Sequence, residues 1–277
     1  MPRARPRGAI RRGRSRTARR RRELRALVME LARQDFRRRH GDVRFDPVLI
    51  LIASYLEADN IGDVLKAVPE RIAGLQVSTL VVVDGGDDGT EDVVADHGAF
   101  AAVLPVNMGQ GVALRVGYDL ADACGARYVV TVDADGQNDP AEAPELLAPV
   151  LADEADFVVA SRRLGRDDTT DPVRRAGVVF FAWVVDHLIG KRLTDTSNGF
   201  RALRTEVLRD VTLEQDQYQT AELIIAAASR GWRIAERPTI WHPRASGESK
   251  KGHNVFFALN YARVILTTWL RERRSSR

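Results

Sequence analysis

The sequence has a single cysteine, Cys124, among 277 residues, so no disulfide can form within the chain. This usage is consistent with a reducing compartment. Long apolar segments are also missing: no run reaches 18 uninterrupted apolar residues, and the two best stretches, 176–189 and 255–270, are interrupted by polar side chains. The charged N-terminus is not followed by an apolar segment, so we expect no signal peptide. These absences predict a cytoplasmic protein without a membrane span.

Lysine is absent from the first 44 residues, which carry 17 arginines against four acidic residues, a net charge of +13. The remaining residues have a net charge of −9, although the whole chain is at +4. The sequence pI of about 9.5 therefore describes a basic N-terminal arm, and the body of the protein is mildly acidic.

The composition changes within this arm. Residues 1–16 are mainly Arg, Pro, Gly and Ser, which predicts disorder. From residue 17 to about 39, apolar side chains recur near helical spacing, which predicts a basic amphipathic helix. These side chains are Leu24, Leu27, Val28, Leu31 and Phe36. The helix could dock on the body or bind anionic lipid headgroups. Nucleic-acid binding is disfavoured, because no known reading motif accompanies the charge.

From Asp46 onward, short apolar runs alternate with helical patterns. Strands are predicted at 48–53, 79–83, 100–104, 128–132, 156–160 and 198–202, with two short strands within 232–242. Helices are predicted to end near residues 74 and 124 and to cover 173–190, 219–230 and 253–272. The alternation predicts an α/β fold, a mostly parallel sheet with helices on both faces. We expect a basic arm over 1–44, a central domain over 45–250, and a C-terminal amphipathic helix with a basic tail over 251–277.

Polar residues follow three predicted strands where each ends: Glu57, Asp59 and Asn60; Asp84, Asp87 and Asp88; and Asp133, Asp135 and Gln137. The carboxyl ends of parallel strands meet at one edge of the sheet, where α/β proteins bind ligands. The pair Asp133 and Asp135 would repel itself unless a cation or hydrogen bonds held it. It marks either a solvated acidic turn or a divalent-metal site that carries a phosphorylated ligand.

Seven motifs follow one another along the chain: Tyr55-x-Glu57-x-x-Asn60, VVDGGDDGT, NMGQGVALRVG, VDADGQNDP, ASRR, DTSNGFRALR and PRASGESK. In this series the chain resembles the family-2 inverting glycosyltransferases, which have the Rossmann-like GT-A fold, over roughly residues 46–252. It is most similar to the dolichol- and polyprenyl-phosphate sugar transferases, such as the dolichol-phosphate mannosyltransferases. It departs from their pattern at Asp84, where two adjacent aspartates are usual, and at Gln110, where lysine is frequent.

The resemblance implies a nucleotide-sugar donor of the GDP-mannose or UDP-glucose type and a Mg²⁺ or Mn²⁺ cofactor. Asp133 and Asp135 would bind the metal, with Gln137 as a third ligand, and Asp135 would be catalytic. The implied donor-binding residues are Tyr55, Glu57, Asp84, Asp88, Gly109, Gly111, Asp133, Arg162, Arg201, Arg244, Ser249 and Lys250. Among these, Asp84 and Asp88 would hold the nucleotide. The metal and the basic side chains would offset negative charge on the departing diphosphate.

The acceptor stays open at this point. A hydroxyl acceptor needs a general base, and Glu222 and Asp195 are the catalytic candidates at family-matching positions. A polyprenyl phosphate is already ionised and requires no strong base. A non-catalytic nucleotide-sugar-binding protein is a third alternative. The apolar C-terminal helix could belong to the core, lie on an anionic membrane surface at its cytoplasmic face, or be buried in a homo-oligomer.

Overall fold

A computed structural model describes residues 7–169, 171–244 and 254–275. The described strands are β1 (Val48–Ser54), β2 (Arg71–Ile72), β3 (Leu75–Val83), β4 (Phe100–Val103), β5 (Tyr128–Asp133), β6 (Phe157–Asp167), β7 (Arg201–Arg204) and β8 (Ile234–Trp241). The described helices are α1 (Arg7–His40), α2 (Ala58–Lys66), α3 (Thr90–Asp96), α4 (Gln110–Ala123), α5 (Ala143–Leu151), α6 (Pro172–Ile189), α7 (Thr205–Asp210), α8 (Gln219–Ser229) and α9 (Asn254–Ser275).

The strands form one sheet in the order β2-β3-β1-β5-β7-β6-β8, and β4 also pairs with β3. Parallel pairs join β1 to β3 and β5, β3 to β4, and β6 to β8. β7 runs antiparallel to both β5 and β6, and β2 runs antiparallel to β3. The predicted α/β class and the predominance of parallel pairing are confirmed, and the sheet is mixed at β7 and β2.

Helices cover both faces of the sheet because successive side chains of a strand point to opposite faces. In β1, Leu49 and Leu51 belong to a core shared with α1, α4, α8 and α9. Ile50 and Ile52 belong to a second core shared with α2, α3 and α5. Each of these fully buried side chains contributes about 1.5–3 kcal/mol to folding. Because β1 is apolar on both faces, helices pack on both sides of the sheet and give three layers.

Residues 71–76 form a β-hairpin where the sequence pattern predicted the end of a helix. α2 ends at Lys66, and Ile72 pairs with Leu75 across a two-residue turn. Both turn residues are left-handed, with φ of 49° at Ala73 and 81° at Gly74. Such turns usually signal themselves by Asn-Gly or Asp-Gly, and alanine in the first position hides the signal. A second difference lies at the end of the sheet, where one strand, β8, replaces the two predicted within 232–242.

The basic arm is a long helix docked on the body. It begins at Arg7, so the disorder predicted for 1–16 is wrong for residues 7–16; residues 1–6 lie outside the described part. Val28, Ala32 and Phe36 are buried in the first core, which confirms docking. Leu24 and Leu27 lie on the outer side and are exposed.

α9, like α1, has apolar side chains on both its buried face and its exposed face. Tyr261, Val264 and Ile265 are buried, whereas Leu259 and Leu266 are exposed. The core alternative for this helix is therefore correct for one face. No helix within the described residues is long and apolar enough to cross a membrane.

Candidate functional site

A cavity of about 360 Å³ opens at the carboxyl ends of β1, β3 and β5. Its acidic side carries Glu57, Asp84, Asp133 and Asp135, each of which follows or ends one of these parallel strands. Tyr55 and Gly109 line the same cavity. Strand adjacency therefore brings these six predicted donor and metal residues together.

Asp84 is buried and fastens the loop before α4. Its carboxylate accepts the backbone N–H of Met108 at 2.7 Å and of Gly109 at 2.8 Å. Burial raises the pKa of Asp84 to about 6, although the two backbone hydrogen bonds act to lower it. The single aspartate at this strand end therefore both lines the cavity and shapes the neighbouring loop.

Arg244 lies between two carboxylates of the cavity. Its guanidinium donates to Glu57 Oε1 at 3.0 Å and to Asp135 Oδ2 at 2.9 Å. Glu57 also accepts from the side-chain amide of Asn60 at 2.7 Å. A fixed positive charge thus joins the predicted nucleotide side of the cavity to the predicted metal side.

The Asp133 carboxylate accepts a hydrogen bond from Gln110 and packs against Gly199. The Gln110 amide donates to Asp133 Oδ1 at 2.7 Å. Gly199, just before β7, faces the same carboxylate, since a Cβ there would lie 2.7 Å from both of its oxygens. Only glycine leaves this carboxylate in place, so Gly199 is a site residue that the sequence prediction missed within the quoted DTSNGFRALR motif.

The donor set at Asp133 and Asp135 fits a hard divalent cation. Two carboxylates leave coordination positions for water and phosphate oxygens, which is how Mg²⁺ is usually held. Within the described residues there is no group of three or more His, Cys, Asp or Glu side chains that would form a complete metal cage. The predicted third ligand, Gln137, donates its amide N–H to the carbonyl of His242 at 3.3 Å and does not line the cavity. Its role as a ligand stays a prediction.

Two glycines at the start of α4, Gly109 and Gly111, allow backbone to approach backbone. A Cβ on Gly109 would lie 2.6 Å from the carbonyl oxygen of Asp216, and one on Gly111 would lie 2.2 Å from that of Gln215. The Gly111 N–H donates to the Asp216 carbonyl at 2.8 Å. Gly111 itself does not line the cavity. The absence of a side chain at Gly111 therefore serves the contact with the loop at 215–216.

Asp88 lies outside the cavity. Its carboxylate accepts from the Thr90 hydroxyl at 2.7 Å and from the Ala58 N–H at 3.1 Å. It thereby ties the start of α3 to the start of α2. This predicted nucleotide-binding residue therefore lies next to Glu57 in space but does not line the cavity.

Arg162 and Asp195 form a buried ion pair behind Ser197, which lines the cavity and accepts a hydrogen bond from Arg162 at 2.7 Å. The guanidinium donates to both carboxylate oxygens, at 2.6 and 3.0 Å, and lies 4.5 Å from the centre of the Trp241 ring. Since Asp195 has no exposed surface, it cannot take a proton from an acceptor in the cavity. The structure thus argues against a base role for Asp195 and a donor-binding role for Arg162.

Arg201 is fully buried behind the cavity wall. Its guanidinium donates to the backbone carbonyls of Thr196, Asn198 and Thr220 at 2.7–3.2 Å. Burial lowers the pKa of this guanidinium. Arg201 does not line the cavity, so its position argues against a donor-binding contact.

Glu222, the other candidate base, is also fully buried. Its carboxylate accepts the N–H groups of Glu214 and Gln215 at 2.9 and 3.0 Å and pairs with Arg271 of α9 at 2.9 Å. It anchors the loop before α8 and does not line the cavity. Ser249 and Lys250, the remaining donor candidates, lie outside the described residues.

A second part of the cavity wall is polar but uncharged, and the sequence prediction missed it. It consists of Ser197, Gln217, Tyr218, Gln219, Thr220 and Tyr261. Hydroxyls and amides of this kind suit hydrogen bonds to a sugar. These residues carry no titratable group at neutral pH, so the charge pattern gave no signal for them.

Comparison with known proteins agrees with this architecture. A sequence profile of Glycosyl transferase family 2 matches residues 49–212. The chain is 32% identical to a dolichyl-phosphate hexose transferase of Haloferax volcanii over 206 residues, 74% of this chain and 87% of that protein. It is 29% identical to an undecaprenyl-phosphate mannosyltransferase of Micrococcus luteus over 237 residues, 80% of this chain and 93% of that protein.

Among solved structures, the chain resembles glucosyl-3-phosphoglycerate synthase from Mycobacterium tuberculosis in complex with Mn²⁺, UDP and glucosyl-3-phosphoglycerate. The TM-score is 0.64 at 19% identity, with 82% of this chain and 80% of that chain covered. At this identity the likeness concerns the fold, which is the predicted GT-A fold.

Proposed function

The chain belongs to glycosyl transferase family 2, and we propose that it transfers a hexose with inversion from a nucleoside-diphosphate sugar to polyprenyl phosphate. The named activities of the Haloferax and Micrococcus relatives support this acceptor class. The observation that carries the proposal is one cavity in which Asp133, Asp135 and Arg244 lie together at the strand ends. These charges suit a diphosphate and its cation. A donor of the GDP-mannose or UDP-glucose type is part of the proposal.

Asp133 and Asp135 would hold Mg²⁺ or Mn²⁺, with Gln137 as the proposed third ligand. When bound, the cation supplies positive charge that stabilises the departing diphosphate. The fold neighbours containing Mn²⁺ or Mg²⁺ together with UDP support a divalent cofactor. Gln110 orients Asp133 through its 2.7 Å hydrogen bond. The Arg244 guanidinium offsets further negative charge from beside Asp135.

The placement of the two candidate bases favours a phosphate acceptor. Asp195 and Glu222 are both buried and ion-paired, so neither is available to deprotonate a hydroxyl. A lipid phosphate brings an ionised oxygen of its own, because its second pKa is about 6. Transfer to a soluble or polysaccharide hydroxyl is the alternative, and it would need a base drawn from the carboxylates that line the cavity.

The reaction can be tested with radiolabelled GDP-mannose and UDP-glucose, Mn²⁺ and undecaprenyl phosphate in detergent micelles. We expect labelled sugar in the lipid extract with one of these donors and none with Asp135→Ala. Label in a soluble or polymeric product would instead support the hydroxyl alternative. Donor binding in a thermal-shift assay, without transfer to any acceptor, would identify a non-catalytic binding protein.

We further propose that the protein rests on an anionic membrane surface at its cytoplasmic face. Phe180 and Trp183 of α6 are 56% and 57% exposed, with ring centres 6.4 Å apart. Aromatic side chains of this type are favoured at the bilayer interface. On the inner side of the same helix, Phe181 packs against the cavity residue Tyr261, with ring centres 4.9 Å apart. A lipid acceptor at this surface would be close to the cavity.

Vesicle binding tests this partner. Trp183→Ser and a deletion of residues 1–18, which carry many of the arginines, should each reduce co-sedimentation with phosphatidylglycerol vesicles. Val106→Ser, at an exposed apolar position outside α1 and α6, is the control. Deletion of the whole arm is unsuitable, because it would remove the core residue Phe36. Unchanged binding in both variants would reject the membrane proposal, and gel filtration would then test a homo-oligomer.

A further inference from the structure

The N-terminal helix reaches the loop that forms one wall of the cavity. We propose that Arg25 of α1 is a positioning residue for sugar transfer, acting through Asp216 on residues 217–220. This inference rests on the proposed glycosyl transfer for its kinetic consequence, but the contact itself can be tested without it. Arg25 precedes the part of the chain matched by the family profile, which begins at residue 49. The contact between Arg25 and Asp216 therefore joins the N-terminal arm to the cavity loop.

Asp216 lies between two arginines from different helices. Arg25 of α1 donates to Asp216 Oδ2 at 2.6 Å, and Arg115 of α4 donates to Asp216 Oδ1 at 3.0 Å. Arg115 also donates to the carbonyl of Gln215 at 2.8 Å. The Arg25 side chain is 20% exposed and that of Asp216 is 38% exposed, so the pair is partly shielded from solvent. Both oxygens of the carboxylate are thus directed by fixed cations.

The position of Arg25 is set by the docking of its helix. Val28 and Ala32, which lie one and two turns further along the same side of α1, are buried in the first core. A helix held in this way presents the guanidinium at a defined place. Arg25 therefore loses little further freedom when it pairs with Asp216, so the contact can transmit the position of α1 to the loop.

The backbone at Asp216 continues directly into the cavity wall. The Asp216 carbonyl accepts the Gly111 N–H at 2.8 Å, and the next residues, Gln217 and Tyr218, line the cavity. Tyr218 has a left-handed φ of 61°, a strained conformation for a residue other than glycine that persists only where the surroundings fix it. The ion pair at Asp216 is one of the contacts that hold this turn. Loss of Arg25 should therefore loosen Gln217 and Tyr218 before it affects the rest of the domain.

The test compares Arg25→Gln with Arg21→Gln, which removes the same charge from an exposed position of the same helix. Hydrogen exchange of residues 211–218 is the readout that does not depend on activity. We expect Arg25→Gln to speed exchange in this loop at least threefold and to lower kcat/KM about fivefold to tenfold with a soluble short-chain prenyl phosphate. Arg21→Gln should do neither, and Arg25→Lys should restore part of both.

A double-mutant cycle with Asp216→Asn separates a direct link from general damage. If the link is direct, the two substitutions together should slow the reaction little more than Asp216→Asn alone. Equal exchange in the Arg25→Gln and Arg21→Gln proteins would overturn the inference. Faster exchange spread over the whole domain, with a matching fall in Tm, would also overturn it, since Arg25 would then be a stability residue only. If the wild-type protein also transfers no sugar, the proposed function is rejected. The hydrogen-exchange comparison would still decide whether Arg25 holds the loop.

Discussion

Replacing Gly199 by alanine should disturb the carboxylate of Asp133 while leaving the fold intact. Gly199 does not have a positive φ, so its backbone conformation is open to alanine. The obstacle is the new methyl group, which would lie 2.7 Å from both oxygens of Asp133. This substitution therefore tests the metal-site assignment by moving a proposed ligand without removing it.

The size of the effect follows from the overlap. An ordinary contact needs about 3.4 Å, so the Asp133 oxygens have to move by about 0.7 Å. Mg²⁺ requires ligand distances near 2.0–2.1 Å, and a misplacement of about 1 Å costs roughly 10²-fold in rate. We expect Mn²⁺ affinity and the transfer rate each to fall about tenfold or more. The Asp133 side chain can rotate away, so stability should fall by less than the roughly 1–3 kcal/mol of an overpacked core.

Mn²⁺ titration followed by electron paramagnetic resonance measures the affinity, and urea unfolding measures the stability. Gly177→Ala in α6 is the matched control, because a Cβ there would meet nothing within 4 Å. It should raise stability by about 0.5–1 kcal/mol and leave Mn²⁺ binding unchanged. Unaltered Mn²⁺ affinity in the Gly199→Ala protein would refute the assignment of Asp133 as a ligand.

Three further predictions follow from other parts of the site. Burial raises the pKa of Asp84 to about 6, above its unfolded value of about 4, so its contribution to stability is full below about pH 4 and is lost as the pH rises to about 6. Over that range the free energy of unfolding of the wild type should fall by up to about 3 kcal/mol relative to that of Asp84→Asn. Urea unfolding at each pH measures this difference, and a difference that does not change with pH would contradict the prediction. Arg162→Met should lower stability by about 3–5 kcal/mol, because it leaves Asp195 buried without its cation; an unchanged Tm with lost activity would point to catalysis instead. Asp135→Ala should abolish the Mn²⁺-dependent thermal shift seen with the donor, and a retained shift would remove Asp135 from the metal site.

The sequence pattern was most informative where a general property of sheets applies. Glu57, Asp84, Asp133 and Asp135 follow or end β1, β3 and β5, which are neighbours in parallel register. Their meeting in one cavity follows from strand order and direction. The same reasoning covers most of the fold, because uninterrupted apolar runs such as β1 place apolar side chains on both faces of the sheet, and both faces then require helices.

The sequence did not indicate a partner that lies far along the chain. Arg162 and Asp195 are 33 residues apart, and nothing near either residue indicates that they form a pair. Glu222 lies in the first turn of α8. A carboxylate at this position could serve equally as a catalytic base or as an anchor for the preceding loop. Its hydrogen bonds to the N–H groups of Glu214 and Gln215 decide between the two.

These buried pairs affect how substitutions at this site have to be interpreted. Loss of Arg201 would free three backbone carbonyls behind the wall that contains Thr220, and activity would fall although the guanidinium touches no substrate. Loss of Arg244 would also reduce activity, but by removing a charge inside the cavity. An alanine scan by rate alone would place both arginines in one class. Tm and donor affinity separate them, since an Arg201 variant should lose stability first and an Arg244 variant should lose donor affinity at nearly unchanged Tm.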